Sequence, residues 1–170
     1  YERAAEWYEK AARQGDSEAQ AALGNFYYLG QGVTQSYERA AEWFEKAARQ
    51  GDSDAQYSLG GLYYNGQGVT QSYERAAELF KQSAAQGDPY CQGMLAICYL
   101  GGDGVNKDYK EARRLFALAA KQGHPHAIEG LKAIDDLISI NCPLLGKRVV
   151  LTGTSREALN GKAGGGISFD

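Results

Sequence analysis

Long apolar runs, a dominant charge and a matched set of cysteines are all missing from this sequence. Its 170 residues hold 3 Pro, 3 Cys, 2 His and 1 Met. The apolar runs are a few residues each, far short of the roughly 20 that a membrane-spanning helix needs. A formal net charge of −3 gives no cationic footprint for nucleic acid or for an anionic membrane surface. Cys91, Cys98 and Cys142 are an odd number. Cys91 and Cys98 fall on one predicted helix, about 10 Å of rise apart, whereas a disulfide needs Cα atoms within about 7 Å. An intrahelical bridge is therefore excluded. The thiols read as small buried core residues, which fits a reducing, cytoplasm-like compartment.

What the chain does have is glycine, 22 of 170 residues, and 12 tyrosines. The glycines fall into register. Gly15, Gly51, Gly87 and Gly123 are 36 residues apart; so are Gly30, Gly66 and Gly102, and Gly32, Gly68 and Gly104. Residues 1–36 align with 37–72 without a gap and differ at seven positions. Such a period marks a repeat architecture, and the glycine excess is mostly punctuation between helices. With ordinary hydrophobic (44%) and charged (23%) fractions, the chain is long enough to bury a core and argues against disorder.

Each period predicts two helices. One runs from Tyr37 to Gln50, with Ala40, Trp43, Phe44, Ala47 and Ala48 forming an apolar stripe at helical spacing. Gly51 then suits the left-handed position that ends a helix. The other starts at Asp52-Ser53-Asp54-Ala55-Gln56, where Ser53 and Gln56 fit a capping box. In the next period Asp88-Pro89 supplies a capping carboxylate and a first-turn proline. The segment Asn65-Gly-Gln-Gly-Val-Thr-Gln-Ser72 forms the turn, with Gly66 and Gly68 taking positive φ and Val69 plugging the helix pair.

The run Asp52-Ser-Asp-Ala-Gln-Tyr-Ser-Leu-Gly-Gly-Leu-Tyr-Tyr-Asn-Gly-Gln-Gly-Val69, followed by Tyr73-Glu-Arg-Ala-Ala-Glu-Leu-Phe-Lys81, resembles the Sel1-like repeat, a relative of the tetratricopeptide repeat. The resemblance covers roughly residues 1–140. It implies an all-α fold, a right-handed α-solenoid of antiparallel helix pairs. It also sets the phase, with the Asp/Ser-to-Tyr-Tyr helix as the first helix (A) and the Tyr-Glu-Arg-Ala helix as the second (B). The chain then opens on an orphan B helix (1–14). Repeats follow at 16–51, 52–87 and 88–123, then an A-like capping helix at 125–140, in which Lys132 and Asp135 replace a small residue and a Tyr. The whole reads as a window onto a longer protein.

The seven differences between the first two copies are Tyr8/Phe44, Glu18/Asp54, Ala21/Tyr57, Ala22/Ser58, Asn25/Gly61, Phe26/Leu62 and Leu29/Asn65. Six lie on one face of helix A. The unchanged face, Ala19, Leu23, Gly24 and Tyr27, fits against helix B, the small Gly24 letting backbones approach. The resemblance implies that helix A lines a concave groove. The varying face is thus the candidate partner-binding surface: Glu18, Ala21, Asn25, Tyr28 and Leu29; Asp54, Tyr57, Gly61, Tyr64 and Asn65; Tyr90, Ile97 and Leu100. Tyrosine and apolar residues flanked by carboxylates suit an extended peptide or a helix. Ala22/Ser58 and Phe26/Leu62 sit at the edge of the face, toward the core. The competing reading is drift on an exposed face.

Chemistry is sparse. His124 and His126 flank Pro125, with Asp135 and Asp136 downstream, in a spacing that matches no metal site. Glu38, Arg39, Glu42 and Lys46 read as a solvated face with i,i+4 pairs. No Ser-His-Asp or Cys-His pattern stands out, so no catalytic residue, metal or cofactor is assigned. In the tail, Val149–Leu151 reads as a strand, Asn160-Gly161 as a hairpin turn and Ile167–Phe169 as a second strand. Gly161-Lys162 lacks the remaining positions of a phosphate loop, and Thr152-Gly153-Thr154 lacks those of a dinucleotide fingerprint. The order of residues from Val149 to Asp170 resembles the start of a KOW/SH3-like module, whose unpaired edges would leave it poorly ordered. The expected function is a non-enzymatic scaffold or adaptor for a protein or peptide. Rival readings are an adaptor of membrane-associated, endoplasmic-reticulum-type protein quality control and a non-catalytic part of a larger enzyme.

Overall fold

The computed structural model describes residues 2–140, with side chains to residue 137. The tail strands, the hairpin turn and Cys142 lie outside the described residues. Eight helices follow one another: α1 (Glu2–Arg13), α2 (Ser17–Leu29), α3 (Tyr37–Arg49), α4 (Ser53–Asn65), α5 (Tyr73–Ala85), α6 (Pro89–Gly101), α7 (Tyr109–Lys121) and α8 (Pro125–Ile140). There is no strand among the described residues. Odd-numbered helices are B helices and even-numbered ones are A helices. Each helix packs on its neighbours in the chain, and α2 and α4 also touch each other. This makes an α-solenoid, in which each unit completes the burial of the one before.

The cores repeat with the sequence. Phe44, Phe80 and Phe116, one each on α3, α5 and α7, are almost fully buried. Each ring drives onto an A helix where a small residue makes room. A Cβ on Gly60 would lie 2.5 Å from Cε1 of Phe80, and one on Gly24 would lie 2.6 Å from the Phe44 ring. The small residue at this position therefore seats an aromatic ring rather than letting backbones touch, as the sequence suggested. Val69 packs from the loop against the core of its helix pair, as expected. The loop also locks onto the preceding unit. Gly68 (φ +69°) sits so close to the start of α3 that a Cβ would fall 2.3 Å from the Tyr37 carbonyl carbon. Only glycine fits both that φ and that approach.

The capping box is not formed. Asp52 caps α4, its Oδ1 accepting from the Ala55 amide at 2.8 Å, and Asp16 and Asp88 do the same for α2 and α6. Ser53 turns away to meet the Ser83 hydroxyl at 2.6 Å. Gln56 is buried and has a different role. Its amide donates to the Ala48 carbonyl at the end of the preceding B helix and accepts from Gln86 at the end of its own. Gln20–Gln50 and Gln92–Gln122 repeat that link in the other units. A carboxylate one residue earlier takes the capping position first, which frees the glutamine to satisfy buried backbone.

Candidate groove on the A-helix face

α2, α4 and α6 are each packed between two B helices, so only one strip of each faces outward. Their sequences carry few charges, and the strip is aromatic. Asn25 and Tyr28 of α2, Tyr57, Ser58, Gly61 and Leu62 of α4, Phe80 of α5 and Met94 of α6 line an apolar cleft of about 90 Å³. Leu62 and Phe80 are its buried floor, and Asn25 is an exposed polar edge. Tyr57 forms one wall. Its ring packs 6.4 Å from Phe80 and 6.0 Å from Tyr90, and Tyr90 in turn meets His124 edge-on at 4.7 Å. An aromatic row thus runs from α4 across α6 to α8.

Burial raises the phenol pKa of Tyr28, Tyr57 and Tyr64, with Tyr37 adding to it at Tyr28, Cys91 at Tyr57 and Asp103 at Tyr64. These tyrosines stay neutral at physiological pH and offer hydroxyl groups beside apolar rings.

The thirteen candidate residues divide by burial. Glu18, Asn25, Leu29, Asp54, Asn65 and Tyr90 are exposed; Tyr28, Tyr57 and Leu100 are half-buried. Asn25, Tyr28, Tyr57 and Gly61 converge on the cleft, while the others lie outside its lining. Ala21, Tyr64 and Ile97 are buried and must be corrected as contact residues. Ala21 and Ile97 join the cores, because an A helix has a neighbour on either side. Tyr64 packs edge-on against Tyr73 at 5.0 Å and donates its hydroxyl to buried Asp103 at 3.0 Å. Gly61 is buried too, and lines the cleft without a side chain to offer. The residues missed as a group are Ser58, Leu62, Phe80 and Met94. A signal existed: Ser58 and Leu62 are two of the positions at which the copies differ, and Met94 is the third copy of the Ser58 position.

The remaining polar groups are structural. Burial pushes the Cys98 thiol up to about 12 and raises that of Cys91 as well, so neither supplies a thiolate. Among the described residues no three His, Cys, Asp or Glu side chains converge as metal ligands would. His124 replaces the aspartate of the other A helices as a cap, its Nδ1 accepting from the Ala127 amide at 3.2 Å. Within the B helices the pairs are Glu9–Arg13, Glu45–Arg49, Glu78–Arg75 and Glu111–Arg114, Arg75 also reaching Glu45 of α3 and Arg113 pairing with Asp135 of α8, with Lys46 over the Trp43 ring instead of in an ion pair.

A stack of two-helix units with a shared core and a lined outer face defines an α-solenoid repeat protein. The Sel1 repeat family model matches residues 1–16, 17–52, 53–88 and 89–124, and the chain belongs to that family. Sel1-repeat proteins are generally protein-interaction scaffolds and typically not catalysts. No curated protein matches the chain significantly. Among solved structures it is similar to c5321, a protective antigen present in uropathogenic Escherichia coli strains and displaying an SLR fold. The identity is 38% and the TM-score 0.71, over 72% of this chain and 26% of that one. It is also similar to a Sel1 repeat protein from Oxalobacter formigenes, with 33% identity and a TM-score of 0.73, over 76% of this chain and 54% of that one. Helicobacter pylori cysteine rich protein B shares the fold at 21% identity and a TM-score of 0.59, over 75% of this chain and 91% of that one. The chain thus spans about a quarter and about half the length of the first two. No described helix is long and apolar enough to cross a membrane.

Proposed function

We propose that this chain binds a protein partner, as an extended peptide or a helix, in the groove along the A helices, with the cleft between α2 and α4 as the anchoring pocket. One observation carries the reading. Asn25, Tyr57, Ser58, Gly61 and Leu62, which line the cleft, are all positions at which two otherwise near-identical copies differ. A scaffold that kept its packing residues while varying its contacts would show that pattern. Apolar floor, tyrosine walls and a polar edge match the make-up of recognition surfaces. Glu18, Leu29, Asp54, Asn65, Tyr90 and Leu100 extend the surface beyond the pocket.

A photo-crosslinking side chain tests this, placed at exposed Asn25 in one variant and at exposed Glu42 of α3 in another. In extracts of the source cells a protein adduct is expected from position 25 and none from position 42. Adducts from position 42 alone would sink the groove reading.

A further inference from the structure

The overall charge of −3 conceals a segregation. Residues 14–37, 50–73 and 82–106, which hold α2, α4, α6 and their loops, contain no Lys or Arg. Each stretch carries two carboxylates: Asp16 and Glu18, Asp52 and Asp54, Asp88 and Asp103. The B helices hold most of the bases, and Glu9, Glu45, Glu78 and Glu111 on them are paired with Arg. Glu18 and Asp54 have no such partner; both are exposed, on the face that leads to the cleft. Asp54 lies one turn before Tyr57 and Glu18 two turns before Asn25, about 4.5 and 10 Å along their helices.

On the strength of the groove reading, we infer that the occupant of the cleft is a cationic extended segment, one aliphatic side chain anchored over Leu62, Phe80 and Met94 and Lys or Arg residues about three positions away. An apolar pocket of this size takes one such side chain. An extended chain advances about 3.4 Å per residue, so a base three residues from the anchor reaches about 10 Å, the separation of Glu18 from Asn25 along α2, and Asp54, about 4.5 Å from Tyr57, lies within that span. The Asn25 amide, exposed at the edge, offers both a donor and an acceptor to the backbone passing over it. Electrostatic complementarity of this kind selects partners and speeds encounter more than it adds affinity. An acidic segment would meet only like charge from the A helices of these three units.

The test uses the full chain and three fluorescein-labelled nine-residue peptides with a central Leu in a Ser/Gly background. They carry Lys, Ser or Glu at both positions three residues from the Leu. Anisotropy titrations at low salt are expected to rank Lys over Ser over Glu. The extremes should differ by about tenfold, as two exposed charge contacts allow, and most of the ranking should vanish at about 1 M salt. The double variant Glu18→Lys/Asp54→Lys should reverse the order with unchanged helicity. Asn25→Trp, at an exposed edge of the cleft, should weaken all three. Equal affinities, a preference for Glu, or a Lys preference that survives the double substitution would overturn the inference. If none of the peptides binds while crosslinks still form at position 25, the cationic-peptide inference fails and the groove reading stands.

Discussion

The A and B helices of each unit have the same length and opposite characters. A B helix such as α3 is amphipathic. It buries Ala40, Phe44 and Ala47 on one side and shows solvent the Glu45–Arg49 pair on the other. An A helix such as α4 has no such division, because it is enclosed by B helices and touches another A helix, and it buries Ala55, Gln56, Leu59, Gly60, Gly61, Leu62 and Tyr64. The difference teaches where each kind of residue is free to change. Charge on the B helices meets water and its own partners, so it contributes little. On the A helices nearly every position is committed to packing, and the single open strip is the part left for recognition.

The comparison breaks most visibly at the aromatic plug. Phe80→Ala removes the ring that Gly60 was shaped to receive and should cost about 3–5 kcal/mol in chemical denaturation. A loss within the range of a surface substitution would show that the B helices do not hold the A helices by that ring. A smaller effect is expected on the A side from Tyr64→Phe, which keeps the packing and deletes the hydrogen bond to buried Asp103. About 1–3 kcal/mol should be lost, the range for leaving a buried polar partner without its bond. Unchanged stability would mean that the hydroxyl adds nothing to the packing.

The smallest effect is conditional on pH. The caps of α2, α4 and α6 are aspartates, but the cap of α8 is His124, which accepts a hydrogen bond only when neutral. Burial, and then the nearby His126, lower its pKa from the ordinary 6.5, while Asp88 pulls the other way. The folded state therefore binds its proton less tightly than the unfolded state does. Stability present above about pH 6.5 is lost as the pH falls below that value toward the folded pKa. Tyr90 stacks on His124, Glu129 lies beside His126, and Asp135 further along α8 is paired with Arg113. Protection factors in α8, which remove the intrinsic pH dependence of amide exchange, should fall between about pH 7 and pH 5, and His124→Asp should abolish that change. A fall of the same size in the aspartate variant would move the sensitivity to another group.

Most of the fold was legible, because the 36-residue spacing repeats the same helix signals and the glycines mark where each stops. The face of the candidate site was legible from the differences between copies. What lies across from that face was not. A helical wheel gives the direction of Tyr64 but not Asp103, 39 residues on, waiting to receive its hydroxyl. It places Ile97 with Asn25 and Gly61 but not the core that closes over it. Gln56 was assigned to a local cap because its partners, Ala48 and Gln86, sit on two other helices.

Those glutamines have a consequence for how such a protein changes length. Gln20–Gln50, Gln56–Gln86 and Gln92–Gln122 each join residues 30 apart within a 36-residue period, so every unit brings both halves of its own fastening. The acceptor on the preceding unit is a main-chain carbonyl, Ala12 or Ala48, which any unit provides whatever its side chains. A duplicated cassette of 36 residues would thus join the row without a compensating mutation. It would lengthen the recognition strip by one more set of side chains, making the array a ruler whose graduations are inherited ready-made.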